Sequence, residues 1–541
     1  MSRHNRFIAR SALITLVLMV CARGAFAQIT LPPCSGTLLR FSVCEIVLTS
    51  STSYSNGYLQ ASVTATFTQS GGVTKTVNGF WDGGGVFKIR FNASNAGTLT
   101  YSTSSSDRSL NGKSGSFTVS STLGTRGFVR RNSTNAEKLV FDNGTRYFMW
   151  GQTYYQIITN ARAGGDWQQS VDNSSGYNMN KVRMLLSPFD NSTQPFTDSA
   201  HNSLNLPHWQ KFDEVVNYLN QKPMIADVIL LSTNPVSYAP DPAMDQKYVR
   251  YALARLAAFP NVIWCLTNEW QLSPYSDTSS GRMYWNTLGG IVQNEDPWGS
   301  QGGNQRALSI HQKTDPLFEF FGSAWPAHAI LQFGTHQPSP VLHPLPDDWG
   351  NFSIFNNLGH GIPVVNDEYL YLCDNHCPPG QVFSKEAHRQ AIWGIATAGG
   401  YGSAGDLRRD QTNQEPTISA HWKDEPEYGD IARLVDFFVN HVNTWWRMTS
   451  QNPLVTSGSR VYVLADSGTR YVVYAAAGGT FTLNLPAPSG ASSYRVFLYD
   501  PTTGSESQLS NVGGGSRTFT MPTQPHSAPD TGNDWVLRIE V

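Results

Sequence analysis

Residues 261–270 read NVIWCLTNEW, an apolar run as long as a buried strand that ends in the polar pair Asn268 and Glu269. A short continuous apolar run of this kind is typical of a strand that is covered on both faces, as in a parallel sheet. A second stretch, IPVVNDEY at residues 362–369, has the same form and also ends in a glutamate, Glu368. The two stretches predict buried strands that each carry a carboxylate at the carboxyl end.

Similar runs recur on both sides of these two stretches and alternate with amphipathic helical patterns. The eight strand-like runs are Tyr147–Gln152, Lys181–Leu186, Ile225–Leu231, Val262–Thr267, Leu308–Ile310, Ile330–Gly334, Pro363–Asp367 and Ile392–Ala396. Helical patterns lie between several of them, for example at Trp209–Leu219, Ala243–Ala257 and Lys385–Ala391. This alternation predicts an α/β fold of the (β/α)8 TIM barrel type, with a doubly wound sheet as the structural alternative.

The sequence before and after the barrel region changes to short alternating runs separated by Gly-, Ser- and Pro-rich turns, a pattern that predicts small β-sandwiches. A last helix at Ile431–Trp446 closes the barrel region. We therefore divide the chain into a signal peptide, an N-terminal β-sandwich, a catalytic barrel and a C-terminal β-sandwich, at residues 1–27, 28–122, 123–449 and 450–541.

The first residues have the form of an export signal. Arginines precede the apolar run Ala12–Cys21, and the small-residue signature at Ala25–Ala27 predicts cleavage before Gln28. The apolar run is too short to cross a bilayer as a helix, and we find no later candidate for a membrane span. A secreted or periplasmic protein is expected.

Composition narrows the classes of partner. The formal net charge is −2, from 38 basic and 40 acidic residues. Because this chain has no basic field to hold a phosphate backbone, nucleic acid is not expected as a partner. Aromatic residues make up 12% of the chain; their rings suit the apolar faces of sugars, but ordinary core packing explains them at least as well.

The chain contains six cysteines, of which five follow the signal peptide. In an exported protein their spacing predicts disulfides between Cys34 and Cys44 and between Cys373 and Cys377, with Cys265 buried and reduced. A metal site at Cys373, Asp374, His376 and Cys377 is the alternative, but thiolate sites usually need a second ligand pair, and the sequence shows none. No metal or cofactor is expected.

The two glutamates suggest a chemistry because the carboxyl ends of barrel strands converge on one mouth. Glu269 at the fourth strand and Glu368 at the seventh would then face each other across a pocket. Cleavage of a glycosidic bond needs such a pair, one acid to protonate the leaving oxygen and one carboxylate to attack the anomeric carbon. Asn268 can bind a sugar hydroxyl beside that carbon. Either glutamate alone would more often be a helix cap, but the two together favour catalysis.

In this arrangement the chain resembles the clan A retaining glycosidases. Within that clan it is similar to a bacterial group of apiosidase-like barrels that also carry β-sandwiches. The stretch Gly79–Phe91 resembles their N-terminal sandwich, and Leu139–Tyr155 resembles the first hairpin and strand of their barrel. The C-terminal domain, of a type labelled collagen-binding, is similar at Tyr471–Tyr474, Tyr499–Gly504 and Asp534–Leu537. The resemblance covers nearly all of the chain after the signal peptide.

The resemblance implies roles for individual residues. Glu269 corresponds to the acid/base and Glu368 to the nucleophile, while Arg183 on the second strand corresponds to an arginine that keeps the nucleophile ionised. Many clan members also place a tyrosine at the sixth strand to bind the nucleophile, whereas this chain reads LQFGTH at residues 331–336. Tyr371, Tyr155 and His336 are the candidates to replace that tyrosine.

Further side chains near the predicted mouth could bind sugar hydroxyls or stack on a ring, although each could equally belong to the core. They are Gln152, Tyr154 and Tyr155 after the first strand, Trp270, His311 after the fifth strand, His336, and Trp393 on the eighth. We therefore expect a secreted retaining glycoside hydrolase that acts on a carbohydrate without a cofactor. The alternatives are a non-catalytic carbohydrate-binding or adhesion protein and a polysaccharide lyase with His311 or His336 as its base.

Overall fold

The computed structural model describes residues 29–276, 279–301, 303–313, 317–333, 345–369, 384–405, 426–527 and 530–541. Within these residues a parallel barrel with helices around it lies between two domains built mainly of antiparallel sheet. The α/β class and the barrel with two flanking sheet domains are as the sequence predicts.

The N-terminal domain packs a five-stranded sheet, in the order β1-β8-β7-β3-β4, against a three-stranded sheet, in the order β2-β6-β5. Phe67 and Phe91 stack between the sheets with ring centroids 3.8 Å apart. The strands are β1 (Gly36–Arg40), β2 (Val43–Thr49), β3 (Val63–Gln69), β4 (Thr74–Asn78), β5 (Phe80–Trp81), β6 (Val86–Asn92), β7 (Gly97–Ser105) and β8 (Ser114–Leu123), with the short helix α1 (Gly57–Gln60) after β2.

The cysteines bear out the predicted pairing where the structure describes them. A disulfide joins Cys34, which precedes β1, to Cys44 on β2, with Cα atoms 5.0 Å apart. Cys265 is buried and free. The predicted pair Cys373 and Cys377, and the metal alternative with it, lie outside the described residues.

The barrel is a sheet of eight parallel strands in the order β17-β14-β13-β12-β11-β20-β19-β18. Its two edge strands meet through a parallel bridge between His311 and Ile330, so that the sheet is nearly closed. The barrel strands are β11 (Trp150–Thr153), β12 (Lys181–Leu185), β13 (Ile225–Leu231), β14 (Val262–Thr267), β17 (Leu308–Ser309), β18 (Ala329–Leu331), β19 (Val364–Tyr369) and β20 (Tyr401–Ala404). Two small hairpins, β9 (Val129–Arg131) with β10 (Leu139–Phe141) and β15 (Ser300–Gln301) with β16 (Asn304–Gln305), accompany it.

The eighth barrel strand does not lie where the sequence predicts it. The run Ile392–Ala396, predicted as this strand, belongs to helix α8 (Lys385–Thr397), and the strand is Tyr401–Ala404. Helix α8 is buried along nearly its whole length, between the barrel and the C-terminal domain. The second half of this helix, Ile392–Ala396, is apolar on every side because it is fully buried, and a short apolar run of this kind looks like a buried strand.

Helices cover the outside of the barrel. They are α2 (Ile157–Arg162), α3 (Trp167–Gly176), α4 (Leu206–Gln221), α5 (Pro242–Leu256), α6 (Ser279–Glu295), α7 (Pro346–Phe355), α8 (Lys385–Thr397) and α9 (Pro426–Asp436). Helix α9 continues as a π-helical turn at Phe437–Val442 and ends where Asn443 adopts a left-handed conformation, somewhat earlier than the predicted end at Trp446. Within the described residues, no helix combines the length and the apolar character that crossing a membrane requires.

The C-terminal domain packs a six-stranded sheet, in the order β21-β23-β24-β29-β26-β27, against a three-stranded sheet, in the order β22-β25-β28. Its strands are β21 (Thr449–Ser450), β22 (Val455–Ser457), β23 (Val461–Asp466), β24 (Arg470–Ala475), β25 (Thr480–Leu485), β26 (Tyr494–Tyr499), β27 (Glu506–Val512), β28 (Gly515–Thr520) and β29 (Trp535–Glu540). All of these strands pair antiparallel.

Ion pairs join both sheet domains to the barrel helices. On the N-terminal side, Arg90 of β6 contacts Asp213 of α4 at 2.6 Å, and both side chains are fully buried. On the C-terminal side, Arg389 of α8 contacts Asp534 at 2.6 Å, again with both side chains buried. A buried charge that loses its partner is costly, so these contacts fix the sheet domains against the barrel.

Candidate active site

Glu269 stands at the point where β14 ends and the chain turns sharply. Its backbone is left-handed, with φ 39° and ψ 64°, a conformation that costs a non-glycine residue about 1–2 kcal/mol. Two hydrogen bonds to His311 hold the turn: the Glu269 N–H donates to Nδ1 at 3.2 Å, and the Trp270 N–H donates to the backbone carbonyl oxygen at 3.0 Å. Backbone strain of this kind occurs often at functional sites.

Glu368 lies at the carboxyl end of β19, next to a β-bulge. Asn366 pairs with Gly402 and Tyr369 pairs with Ala404. Between these two pairs β19 advances by three residues while β20 advances by two. Successive side chains of a regular strand point to opposite faces, and an extra residue changes which way they point. As a result the neighbours Asp367 and Glu368 both contact side chains of the barrel interior.

The Glu368 carboxylate is 3% exposed and is surrounded by polar groups. The Tyr155 hydroxyl donates to Oε2 at 2.5 Å, and the Gln332 amide donates to Oε1 at 3.1 Å. Arg183 Nη1 lies 3.4 Å from Oε2, and His311 Nε2 lies 3.5 Å from the same oxygen. Side chains on or just after three barrel strands, β12, β17 and β18, and one from the segment after β11 therefore hold this carboxylate in one orientation.

Arg183 connects Glu368 to the residues beside Glu269. Its Nη1 donates to the Tyr155 hydroxyl oxygen at 2.6 Å, and its Nη2 donates to Asn268 Oδ1 at 2.5 Å. Because the oxygen of the Asn268 side chain accepts this hydrogen bond, the amide NH2 group points away from Arg183. Arg183 thus fixes the orientation of Tyr155 and Asn268 at the same time.

Burial and neighbouring charges determine the protonation states of Tyr155, Arg183 and His311. Burial raises the pKa of Tyr155 well above its usual value, and the negative charges of Glu368 and Glu269 raise it further against the effect of Arg183. Burial alone would lower the pKa of Arg183, but Tyr155 and the neighbouring carboxylates outweigh it and raise that pKa. Burial and the nearby Arg183 lower the pKa of His311 well below its usual value. At neutral pH Tyr155 is therefore a phenol, Arg183 a cation and His311 an uncharged ring.

A second group of charges lies in the barrel interior next to Arg183. Lys181 Nζ is 3.1 Å from Asp227 Oδ2 and is also hydrogen-bonded to Asp367, while Arg183 Nε is 3.8 Å from Asp367 Oδ2. Burial raises the pKa of Asp227 to about 6, although Lys181 opposes it. Burial acts on Asp367 in the same direction, but Lys181 and Arg183 outweigh it and lower the Asp367 pKa. Charges of alternating sign thus extend from Asp227 through Arg183 to Glu368.

Two of the residues predicted to bind sugar face the helices instead of the barrel interior. Gln152 is paired in register with Val182 and Ala404, both of which belong to the core on the helical side, and its amide donates to the Gly405 carbonyl oxygen. The Tyr154 hydroxyl is hydrogen-bonded to Ser174 of α3 at 2.6 Å. Successive side chains of a strand point to opposite faces, and this alternation continues past the end of β11. It explains why Tyr155 faces Glu368 whereas Gln152 and Tyr154 do not.

The two predicted tryptophans are core residues in the structure. Trp270 is 0% exposed, with its ring centroid 5.3 Å from that of Phe320 and 5.5 Å from the Arg282 guanidinium carbon. Trp393 lies on α8 and stacks on Tyr474 of the C-terminal domain at 5.7 Å. Neither ring face is open to a sugar, so stacking on them is not supported.

His336 and Tyr371 lie outside the described residues, as do most residues that follow β18, β19 and β20. Of the candidates to replace the strand-six tyrosine, Tyr155 is the one that the structure shows bound to Glu368. Gln332 was not among the predicted site residues. Its position directly after the last residue of β18, at the carboxyl end of a barrel strand, is the signal that could have identified it.

Two surface cavities lie away from these carboxylates. One of about 460 Å³ lies where the N-terminal domain meets α5, lined by Tyr58, Trp81, Lys247 and others. Another of about 870 Å³ lies near the amino ends of β13 and β14, lined by Arg126, Asn261 and others. Neither is lined by an aspartate or a glutamate.

Three family descriptions match the chain. Residues 133–425, more than half of its length, match "Apiosidase-like, catalytic domain". Residues 37–106 match a domain of unknown function named DUF5060, and residues 452–540 match "Putative collagen-binding domain of a collagenase".

The chain is also similar to solved structures. One is a protein of Bacteroides vulgatus ATCC 8482 described as a candidate glycoside hydrolase, with a TM-score of 0.72, 20% identity, and coverage of 94% of this chain and 99% of the other. Another, a glycoside hydrolase family 5 protein of the same organism, has a TM-score of 0.61, 14% identity, and coverage of 77% and 93%. At these identities the likeness concerns the fold. A comparison with curated proteins finds no match.

Proposed function

The chain belongs to the apiosidase-like family of glycoside hydrolases, and on this basis we propose that it is a secreted, retaining enzyme that cleaves O-glycosidic bonds of a poly- or oligosaccharide by double displacement. The observation that carries the proposal is the setting of Glu368. It is a buried carboxylate at the end of a barrel strand, held by Tyr155, Gln332 and Arg183 and connected through His311 to the turn that bears Glu269.

The reaction has two steps. A Glu368 oxygen bonds to the anomeric carbon while the glycosidic C–O bond breaks, and Glu269 gives its proton to the departing oxygen. Water then attacks the same carbon, Glu269 takes a proton from it, and Glu368 leaves as a carboxylate. Two inversions give net retention, which goes with a separation of about 5–5.5 Å between the two carboxyl groups.

The neighbours of Glu368 suit a nucleophile. Donors on both carboxylate oxygens and the charge of Arg183 stabilise the ionised form that must attack. We assign Tyr155 the part that a strand-six tyrosine has in related enzymes. The Asn268 amide, turned so that its NH2 group is directed away from Arg183, would donate to the hydroxyl next to the anomeric carbon, a contact that strengthens as positive charge develops there.

Export is supported by two observations. The first residues have the pattern of a signal peptide, and the disulfide between Cys34 and Cys44 is of a kind that persists in oxidising compartments. The alternative of a lyase is less favoured, because its base would have to be His311 or His336. The His311 ring already accepts a hydrogen bond on Nδ1, and its lowered pKa makes it a weak base.

A screen of hydrolysis on plant, algal and bacterial polysaccharides, with aryl glycosides in parallel, tests the function and identifies the sugar. We expect reducing sugar to be released from at least one class, with loss of that activity in Glu368→Gln and Glu269→Gln. Glu214→Gln, on the outer surface of α4, is the matched control and should act like wild type. Binding of a polysaccharide without hydrolysis would favour the carbohydrate-binding alternative, and a crystal structure with carboxyl carbons about 9 Å apart would indicate inversion.

A further inference from the structure

The His311 side chain lies between the two proposed catalytic carboxylates and binds the backbone of Glu269 itself. Its Nδ1 accepts a hydrogen bond from the Glu269 N–H at 3.2 Å, and its Nε2 lies 3.5 Å from Glu368 Oε2. The ring is completely buried. Its own backbone completes the connection, since the N–H donates to the Thr267 carbonyl oxygen and the carbonyl oxygen accepts from Trp270.

The hydrogen bond to Nδ1 fixes the tautomer of the ring. Because Nδ1 accepts, an uncharged ring must carry its hydrogen on Nε2, the nitrogen that faces Glu368. Nε2 has no other hydrogen-bond partner among the described residues. Nδ1 therefore binds the backbone of the Glu269 turn, and Nε2 lies next to the Glu368 carboxylate.

The Glu269 turn needs such a contact. Its left-handed backbone is unfavourable for a residue with a side chain, and the N–H that donates to His311 points into the protein. Without an acceptor this N–H would be left unsatisfied, and the chain could relieve both penalties by leaving the left-handed region. Such a change would swing the Glu269 side chain away from the leaving oxygen.

We propose that His311 is a positioning residue that holds Glu269 in place for proton transfer by accepting the hydrogen bond of its backbone N–H. The proposal rests on the function proposed above. His311 acts through Glu269 and exchanges no proton itself. Its loss therefore affects the protonation of the leaving group more than the attack by Glu368.

Three substitutions of His311 distinguish the contribution of Nδ1 from that of Nε2. In His311→Asn the side-chain oxygen can occupy the position of Nδ1 and accept from Glu269. In His311→Gln the amide reaches the position of Nε2 and leaves the Glu269 N–H without its acceptor, and His311→Ala removes both contacts. His328→Asn is the matched control, because His328 is an equally buried histidine at the start of the neighbouring strand and its ring nitrogens have no hydrogen-bond partner among the described residues.

The readout is the dependence of kcat/KM on the leaving group, measured with 2,4-dinitrophenyl and 4-methoxyphenyl glycosides of the sugar that the screen identifies. General acid catalysis is worth about 10²–10⁴-fold. We expect His311→Ala and His311→Gln to lose about 10–10²-fold on the methoxyphenyl glycoside and less than about 3-fold on the dinitrophenyl glycoside. His311→Asn should recover most of the loss, and His328→Asn should show no such selectivity.

Equal losses on both glycosides, no loss at all, or recovery by His311→Gln in place of His311→Asn would each overturn the proposal. Crystal structures of the variants test it independently of activity. Glu269 should leave the left-handed region in His311→Ala and keep it in His311→Asn, and an unchanged Glu269 in His311→Ala would also overturn it. Failure of the glycosidase function itself would appear elsewhere, as a wild-type protein that hydrolyses nothing or as full activity in Glu368→Gln.

Discussion

Tyr155 shows how much of the site depends on one hydroxyl group. That hydroxyl donates to Glu368 and accepts from Arg183, so it connects the proposed nucleophile to the neighbouring cation. The residue comes from the segment after the first barrel strand, whereas related enzymes are expected to supply a tyrosine from the sixth. The same contact to the proposed nucleophile can therefore be made from a different side of the barrel.

Tyr155→Phe should lower kcat by about 10–10²-fold with little change in KM, because a hydrogen bond to a charged group contributes about 1.5–3 kcal/mol. Steady-state kinetics on an aryl glycoside measure this. Tyr154→Phe is the matched control, since its hydroxyl contacts Ser174 of α3 and should not matter for turnover. Equal effects of the two substitutions would argue against a role for the Tyr155 hydroxyl in catalysis.

The two glutamates should differ in their response to added azide. In Glu368→Ala, azide can enter the vacated space and give the glycosyl azide of inverted configuration. In Glu269→Ala, activity should persist on an aryl glycoside with an acidic phenol and fall by about 10²–10⁴-fold on a natural glycan, and azide should give the retained product. Product configuration by NMR distinguishes the two. Absence of azide rescue in both variants, with equal losses on good and poor leaving groups, would contradict the assigned roles.

At the scale of elements, the barrel strands differ in how far the sequence could predict them. Strands β13 and β14 have the predicted bounds because each is a mainly apolar run that is buried on both faces. Strand β20 was missed because it reads YGSA. A Cβ atom on Gly402 would lie 2.9 Å from the Trp150 ring and 3.0 Å from the Tyr369 ring, so the packing requires a small residue that carries no apolar signal.

Some features of the candidate site could likewise be predicted from the sequence, and others could not. Strand order alone brings Glu269, Asn268, Arg183 and Glu368 to one end of a barrel, and the structure has them there. The bulge that turns both Asp367 and Glu368 inward was not predictable, since an extra residue in β19 is visible only against the register of β20. The direction in which Gln152 and Tyr154 point depends in the same way on the residue at which β11 begins. The apolar content of the sequence does not define that residue.

The charges on strands β12, β13 and β19 should make stability depend on pH. The pKa of Asp227 is raised to about 6 in the folded protein, above its ordinary value of 3.8. Well below pH 4 both folded and unfolded chains hold this proton, and well above pH 6 both have lost it, so the folded state loses stability as pH rises from about 4 to 6. Asp227→Asn cannot ionise and avoids that loss.

Relative to wild type, Asp227→Asn should therefore gain melting temperature as pH rises from 4.5 to 7, by roughly 2–6 °C. Differential scanning calorimetry at several pH values between these limits measures the trend, and the comparison at each pH removes contributions from other groups. A difference between variant and wild type that stays constant over this range would show that Asp227 does not titrate there.

At the scale of the whole molecule, one fully buried and one partly buried ion pair hold the C-terminal domain against the barrel. Asp534 accepts hydrogen bonds from Arg389 of α8 and from the Tyr474 hydroxyl, and Asp347 of α7 contacts Arg460 at 2.5 Å. Helix α8 also lies within reach of β19, since His388 packs near Tyr369 with ring centroids 5.6 Å apart. The C-terminal domain thus supports a helix that packs behind the strand carrying Glu368.

Asp534→Ala leaves the buried Arg389 without its main partner, and removing one member of a buried pair costs about 3–5 kcal/mol. We expect a lower melting temperature and faster proteolysis between the barrel and the C-terminal domain, with kcat little changed at temperatures where the protein is folded. Asp466→Ala is the matched control, because its partner Arg447 is 60% exposed and such surface pairs contribute little. Equal stability of the two variants would contradict the proposed role of the buried pair.

The barrel closes where its strands are shortest, and this has a consequence for heat inactivation. Strands β17 and β18 contain two and three residues and meet through the bridge between His311 and Ile330, whereas β13 and β14 pair over most of their length. Local opening should therefore begin between β17 and β18. His311 lies at that junction, so warming should abolish turnover reversibly several degrees below the calorimetric transition, and the enzyme would stop working before it unfolds.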